Sequence, residues 1–316
     1  MMFLSVGVRF EANVEALNMV ETAGNYGKHR RVPYLVEEEG KLKTVYVPAM
    51  SGESLAHAYQ EHLVREALSA GLPVCDDCQR GEFYKSMNKV HLKKKVDPIP
   101  DNPKSIEEAI VKACVVEDVG GFLYAEKPPV RRSSAFQVSY ALPVKSVALF
   151  ATSEPQLHAR HAQMDASSKK GNASEQMIYY VETGTALYGF TFNLDLDAVG
   201  VSAITSKPIL DEDEIKKRRE ASLKALFRML SSSQFGAKLS RFFPVGGITE
   251  LVVAATDYPF VVTSPIYDDY IVKTKKRLEV LRSFGEESFL AVAGEEKVPE
   301  EALKEAIDYL HEKGAF

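Results

Sequence analysis

Leu4, Val6, Val8 and Phe10 alternate with smaller or polar residues, and that period of two predicts a half-buried strand over residues 3–10. The cleanest alternation lies at 185–196, where Ala186, Tyr188, Phe190, Phe192, Leu194 and Leu196 share one face. Elsewhere the period becomes helical. Leu55, Tyr59, Leu63 and Ala67 follow the cap candidate Ser51 and predict a helix to about residue 70. Leu223, Leu226, Phe227 and Leu230 follow the acidic start Asp211–Glu214, which suits the positive end of a helix dipole. Shorter strands are expected at 43–48, 133–142, 156–164 and 250–256, and helices at 105–114, 267–283 and 299–313.

Reduced to its core, the order is strand, helix, strand, strand, helix, strand. That predicts an α+β fold with the βαββαβ split of ferredoxin-like and RNA-recognition-motif proteins. No linker divides the chain, so residues 1–316 are expected to form a single domain. Large insertions fall at about 11–42, 72–130 and 143–184, and an acidic helical segment at 286–316 closes the chain. The fold alone does not decide function.

The net charge of −5 argues against a nucleic-acid binder until its distribution is considered. Residues 286–316 carry nine acids against three lysines, which leaves residues 1–285 at +1. A neutral body can carry a basic stripe, because salt screens charge beyond about 8–10 Å. The cations are clustered beside glycine: Lys28-His29-Arg30-Arg31 after Gly24 and Gly27, Arg131-Arg132 after Gly120-Gly121, and Lys238 and Arg241 after Gly236. Cations and bare amides together hold phosphates. From Ala221 to Thr249 there is no acid and four cations. Ser51-Gly52 opens a helix directly after a strand, where free amides bind anions, although Glu53 opposes an anion there unless it points away. His158 and Arg160 share one face of a predicted strand.

No segment approaches the roughly 20 apolar residues of a membrane span. The first ten residues read as a strand, not a signal peptide, so the cytoplasm is expected. Three cysteines give no disulfide framework. Cys75 and Cys78 have zinc spacing and could join His91 and Cys114, but a second pair is absent and no metal is expected. The insertion from Phe83 to Val96 holds five lysines and no acid, and could reach a nucleic-acid strand. The catalytic motifs GxSxG, HExxH, the P-loop and GxGxxG are all absent.

Seven motifs in one order carry a family resemblance: Gly24-Asn25 with Lys28-His29-Arg30, the run Ser51-Gly52-Glu53-Ser54-Leu55-Ala56-His57-Ala58-Tyr59, Asp118-Val119-Gly120-Gly121-Phe122, Pro129-Val130-Arg131-Arg132, His158-Ala159-Arg160, Gly236-Ala237-Lys238-Leu239-Ser240-Arg241-Phe242, and Asp268-Asp269-Tyr270. Together they resemble the DevR-type backbone subunit of archaeal type I CRISPR surveillance complexes (Cascade), within the RAMP superfamily. The likeness runs to about residue 283. It implies a crescent-shaped subunit that stacks head to tail into a helical homo-oligomer along CRISPR RNA. It also implies other Cascade subunits as partners, target DNA reached through the guide, a role in antiviral defence, and no enzymatic activity, cofactor or membrane. Carried over residue by residue, the RNA contacts are Lys28, His29, Arg30, Ser51, Gly52, Arg131, Arg132, His158, Arg160, Lys238 and Arg241, and Arg31 is added on charge. The alternative is a metal-dependent ribonuclease of the same superfamily using Glu21, Asp268 or Asp269. Nuclease relatives use an aspartate in the loop after the first strand, whereas residues 11–31 offer only Glu11, Glu15 and Glu21.

Overall fold

A computed structural model describes residues 2–17, 19–24, 26–160, 177–236, 239–240 and 243–316. The first half runs β1 (Phe3–Asn13), β2 (Met19–Ala23), β3 (Tyr26–His29), β4 (Arg31–Glu38), β5 (Lys41–Pro48), α1 (Gly52–Ser69), α2 (Asp76–Gln79), α3 (Lys89–Lys93), α4 (Pro103–Ala113) and α5 (Val115–Gly120). Short strands β6 (Phe122–Tyr124), β7 (Val130–Arg132), β8 (Phe136–Val138) and β9 (Leu142–Pro143) follow, then β10 (Glu154–Arg160), β11 (Met177–Thr183) and β12 (Thr185–Asp195). The chain closes with α6 (Glu212–Ser232), β13 (Gly247–Thr256), α7 (Tyr270–Ser283), β14 (Ser288–Ala293) and α8 (Pro299–Glu312).

The main sheet is antiparallel in the order β14–β13–β1–β12–β8, with β9 also on β12. Its six central elements (β1, α1, β8, β12, α6, β13) are those the hydrophobic pattern predicts. Leu4, Val6, Val8 and Phe10 pack with Tyr188, Phe190 and Phe192 under Leu55, Tyr59 and Leu63 of α1 and Leu223 and Leu226 of α6. Each such side chain contributes about 1.5–3 kcal/mol on burial. The chain is an α+β protein, as expected.

One expectation fails in detail: β1 is buried on both faces. Its second face is covered by the segment before α7, through polar groups. Ser5 Oγ accepts from the Val262 amide at 3.0 Å. The Arg9 guanidinium donates to the carbonyls of Pro265 and Tyr267, both at 2.7 Å, and to Glu250 at 2.9 Å. Arg9 therefore clamps a crossing segment onto the sheet. The bases of a bound RNA would find that face already covered here, unlike the open platform of an RNA-recognition motif.

Three further strand groups lie outside this core. One is a sheet in the order β10–β11–β3–β2, whose β11–β3 pairing is parallel. The others are the hairpins β4–β5 and β6–β7. Among the described residues no helix is long and apolar enough to cross a membrane.

Candidate nucleic-acid interface

The outer sheet gathers several predicted contacts. Lys28 and His29 lie on β3, and His158 and Arg160 on β10, joined through β11. His158 stands opposite Tyr179 in the ladder, and their rings stack with centroids 5.3 Å apart. Tyr180 pairs with Tyr26, edge to face at 6.1 Å. Lys28, Leu157, His158, Ile178, Tyr179 and Tyr180 are exposed. Cations beside exposed aromatics are what single-stranded nucleic acid requires: charge for phosphates and flat faces for bases. Sequence reasoning missed Tyr179 and Tyr180 because β11 falls inside an expected insertion; the doublet in Met-Ile-Tyr-Tyr-Val was the available signal. The Arg160 side chain lies outside the described residues.

His29 corrects one expectation. Named above as an RNA contact that would stack on a base or donate a hydrogen bond, it has a buried side chain, which leaves no open ring face for stacking. Its amide donates to Glu182 Oε2 at 2.7 Å and its Nδ1 lies 3.3 Å from the same oxygen, while the Tyr26 hydroxyl donates to Glu182 Oε1 at 2.7 Å. Glu182 thus fastens β3 to β11, whose ladder is only two residue pairs long. Burial pushes the Glu182 carboxyl up, but the His29 amide and Tyr26 hydroxyl overcome this and hold it below its ordinary value. A depressed carboxyl stabilises the fold above its unfolded pKa, and that contribution disappears as pH falls through the folded one. Glu182→Ala is expected to cost about 1–3 kcal/mol at neutral pH, because it strands buried donors. The cost should shrink below about pH 4, and urea titrations at both pH values check it.

A second group surrounds the start of α1. Arg30 Nη1 lies 3.5 Å from the Tyr140 hydroxyl, and its buried Nε has no hydrogen-bond partner among the described residues. Ser51 is buried and caps the helix, its hydroxyl accepting from the Ser54 amide at 3.3 Å. Glu53 does not point away. Hydrogen bonds from its own amide and the Ser51 hydroxyl, with Arg30 nearby, hold its carboxyl below the ordinary value. Ser51 therefore serves the cap, and the Glu53 carboxylate beside it opposes the anion expected at Ser51-Gly52. Gly52 is required sterically, because a Cβ there would stand 2.9 Å from the Val138 carbonyl. Val138 also lines an open groove of about 550 Å³ with Gln137, Ser139, Asn193 and Arg277.

The arginine pair on β7 divides. Arg131 is exposed, whereas Arg132 is buried. The Arg132 guanidinium donates to the carbonyls of Asp118, Ala198 and Val201 and to the carboxylates of Asp118 and Glu107, at 2.5–3.2 Å. No donor is left for a phosphate, so Arg132 is a core residue and its predicted RNA contact is withdrawn. Arg131 stands on the β6–β7 hairpin beside α4, not on the outer sheet. Arg31 is exposed on β4 and donates to the Tyr46 carbonyl at 2.7 Å.

Lys238 and Arg241 lie outside the described residues. Their segment is anchored by Gly236, at φ 117°, where a Cβ would stand 2.3 Å from the Ala16 carbonyl. Ala16 belongs to the turn that leads from β1 towards β2. In the lysine-rich insertion Lys85 and Lys95 turn inward, while Lys89, Lys93 and Lys94 are exposed. Lys85 donates to the Gly120 carbonyl, Lys95 to Glu117 and Lys94 to Asp77, and Lys89 pairs with Glu126. Asp268 accepts from the Ser146 hydroxyl at 2.7 Å, and Asp269 pairs with Lys273 at 3.0 Å as α7 begins.

The architecture places this chain among α+β proteins of a known kind. A chain of a solved "CRISPR RNA-guided surveillance complex" shares the fold with a TM-score of 0.51 at 13% identity, over 99% of both chains. The chain belongs to the DevR/Csa2 family: the model described as "CRISPR-associated negative auto-regulator DevR/Csa2" matches residues 6–275. It is 38% identical over 286 residues to the "CRISPR-associated aCascade subunit Cas7/Csa2 2" of Saccharolobus solfataricus, covering 87% of this chain and 86% of that one. A "CRISPR-associated protein Cas7/Cst2/DevR" of Methanocaldococcus jannaschii is 29% identical over 305 residues, covering 90% and 91%.

Proposed function

We propose that this protein is a non-catalytic backbone subunit of a Cascade-type complex, holding CRISPR RNA without regard to sequence while the guide pairs with target DNA. The observation that carries the reading is an outer sheet that exposes Lys28 and Tyr180 on one face and His158 and Tyr179 on the other, in a chain whose family match spans residues 6–275. Phosphate contacts carry affinity but no base information, and stacking tolerates any base. Both suit a guide whose sequence varies, because pairing then supplies specificity. Lys28, Arg30, Arg31 and Arg131 would serve phosphates, with Arg160, Lys238 and Arg241 completing the path. The strand order β13–β1–β12–β8 with two helices on one face supports an RNA-recognition-like core in a crescent-shaped chain. Head-to-tail stacking of copies is heterologous and need not close, which yields a filament.

The non-catalytic part rests on Asp268 and Asp269 being taken up by Ser146 and Lys273. The test is binding of unrelated guide RNAs to the purified protein at two salt concentrations, with a cleavage gel run with and without divalent metal. Affinities should agree between guides, and log K should fall with log salt at about 0.7 per phosphate neutralised. Metal-dependent cleavage would establish the ribonuclease instead, and a flat salt response would remove RNA altogether.

A further inference from the structure

The insertion expected at about 72–130 contains a second site. Cys75 caps the short α2, Cys78 lies within it, Cys114 joins α4 to α5, and Glu117 is one turn further along α5. The three Sγ atoms and a Glu117 carboxylate oxygen all lie within 4.8 Å of one another, and all four residues are buried. A tetrahedral ion with bonds of about 2.3 Å to sulfur and about 2.0–2.2 Å to oxygen needs ligand atoms roughly 3.5–3.8 Å apart. Atoms at most 4.8 Å apart need to draw together by about 1 Å to reach that spacing. His91, the partner that spacing suggests, is not part of it; its Nδ1 lies 2.8 Å from Asp77.

We propose that Cys75, Cys78, Cys114 and Glu117 form a closed structural site for a zinc-like divalent metal ion. Two features favour a metal over three buried thiols. The first is the surroundings of Glu117. Its Oε2 accepts from the Ser86 hydroxyl at 2.5 Å, and its Oε1 accepts from Lys95. Such outer hydrogen bonds orient a ligating carboxylate. The second is charge. The Lys95 ammonium also lies 3.4 Å from Cys75 Sγ, and Lys85 donates to the adjacent Gly120 carbonyl at 2.7 Å. With protonated thiols the pocket holds two ammonium groups against one carboxylate. A divalent ion displaces three thiol protons, and the resulting dianionic centre is then balanced by the two lysines. Unbalanced buried charge is costly, so the metal-loaded form is the neutral one.

All four positions are protein ligands and none opens to solvent, which marks a structural and not a catalytic centre. The ion would pin the 72–100 insertion to α4 and α5. The backbone already brings the two halves together, since the Val115 amide donates to the Pro73 carbonyl at 2.9 Å.

The test uses the full chain purified without chelator and does not depend on RNA binding. Elemental analysis should find about one zinc per chain. Cobalt exchange should give thiolate charge-transfer absorption with strong tetrahedral d–d bands. Glu117→Gln, which keeps all three thiols, should weaken metal retention at least about 10-fold. Cys114→Ser should lose the ion; if that variant fails to fold, the wild-type cobalt spectrum decides alone. Metal-free protein that takes up neither zinc nor cobalt, with three thiols titrating after denaturation, would overturn the site. So would a disulfide leaving one titratable thiol.

Discussion

Asp118→Ala lowers the stability of the folded chain by about 3–5 kcal/mol, the cost of removing one partner from a buried ion-pair network. Asp118 is fully buried and holds two guanidinium groups. Its Oδ1 accepts from Arg132 at 2.5 Å, its Oδ2 from Arg218 at 2.9 Å, and both oxygens from the Gly200 amide at 3.1 Å. Arg218 is itself wholly buried. Glu107 extends the network to the Ser202 hydroxyl at 2.6 Å and the Ala203 amide at 2.7 Å. Removing the shared carboxylate takes one partner from each of two buried cations, leaving Arg132 with Glu107 and Arg218 with Glu214. Arg131→Ala, one position from Arg132 but exposed, should change stability by no more than about 0.5 kcal/mol. Its effect should fall on RNA affinity. Urea unfolding of both variants checks the contrast; equal, small losses would show that the network does not hold these segments together.

Tyr179→Ala combined with Tyr180→Ala should weaken RNA binding by about 1–3 kcal/mol for each base stacked, with the salt dependence unchanged. Lys28→Ala should do the opposite: a modest loss, equal for unrelated guides, with the salt slope reduced by about 0.7. The two classes separate because stacking releases no counterions. Tyr179 also stacks on His158, so Tyr179→Phe serves as the control that keeps the ring. Titrations at several salt concentrations distinguish these outcomes. A slope change in the tyrosine variant would mean that the outer sheet had been disrupted instead.

Local pattern carried much of the fold. The alternation around Phe10 and Phe192 located β1 and β12, and the helical spacing from Leu55 located α1, because a core face must repeat with the period of its element. Strand β11 was hidden: its exposed tyrosines lack an apolar face to betray it. Strand β14 was hidden too, lying between acidic stretches. Cys114 and Glu117 are one helical turn apart, and that spacing was legible. Their meeting with Cys75 and Cys78 was not.

The basic clusters show the division most sharply. Sequence by itself determined that cations are concentrated beside Gly27, Gly121 and Gly236. Tertiary structure alone decided which cations face outward. Neighbours on a strand point to opposite sides, so Arg131 and Arg132 are alike in sequence and opposite in space. The partners that bury Arg132 include Asp118, 14 residues away, and Val201, 69 away. Charge is a property of one residue, but the environment that neutralises it is assembled from distant parts of the chain.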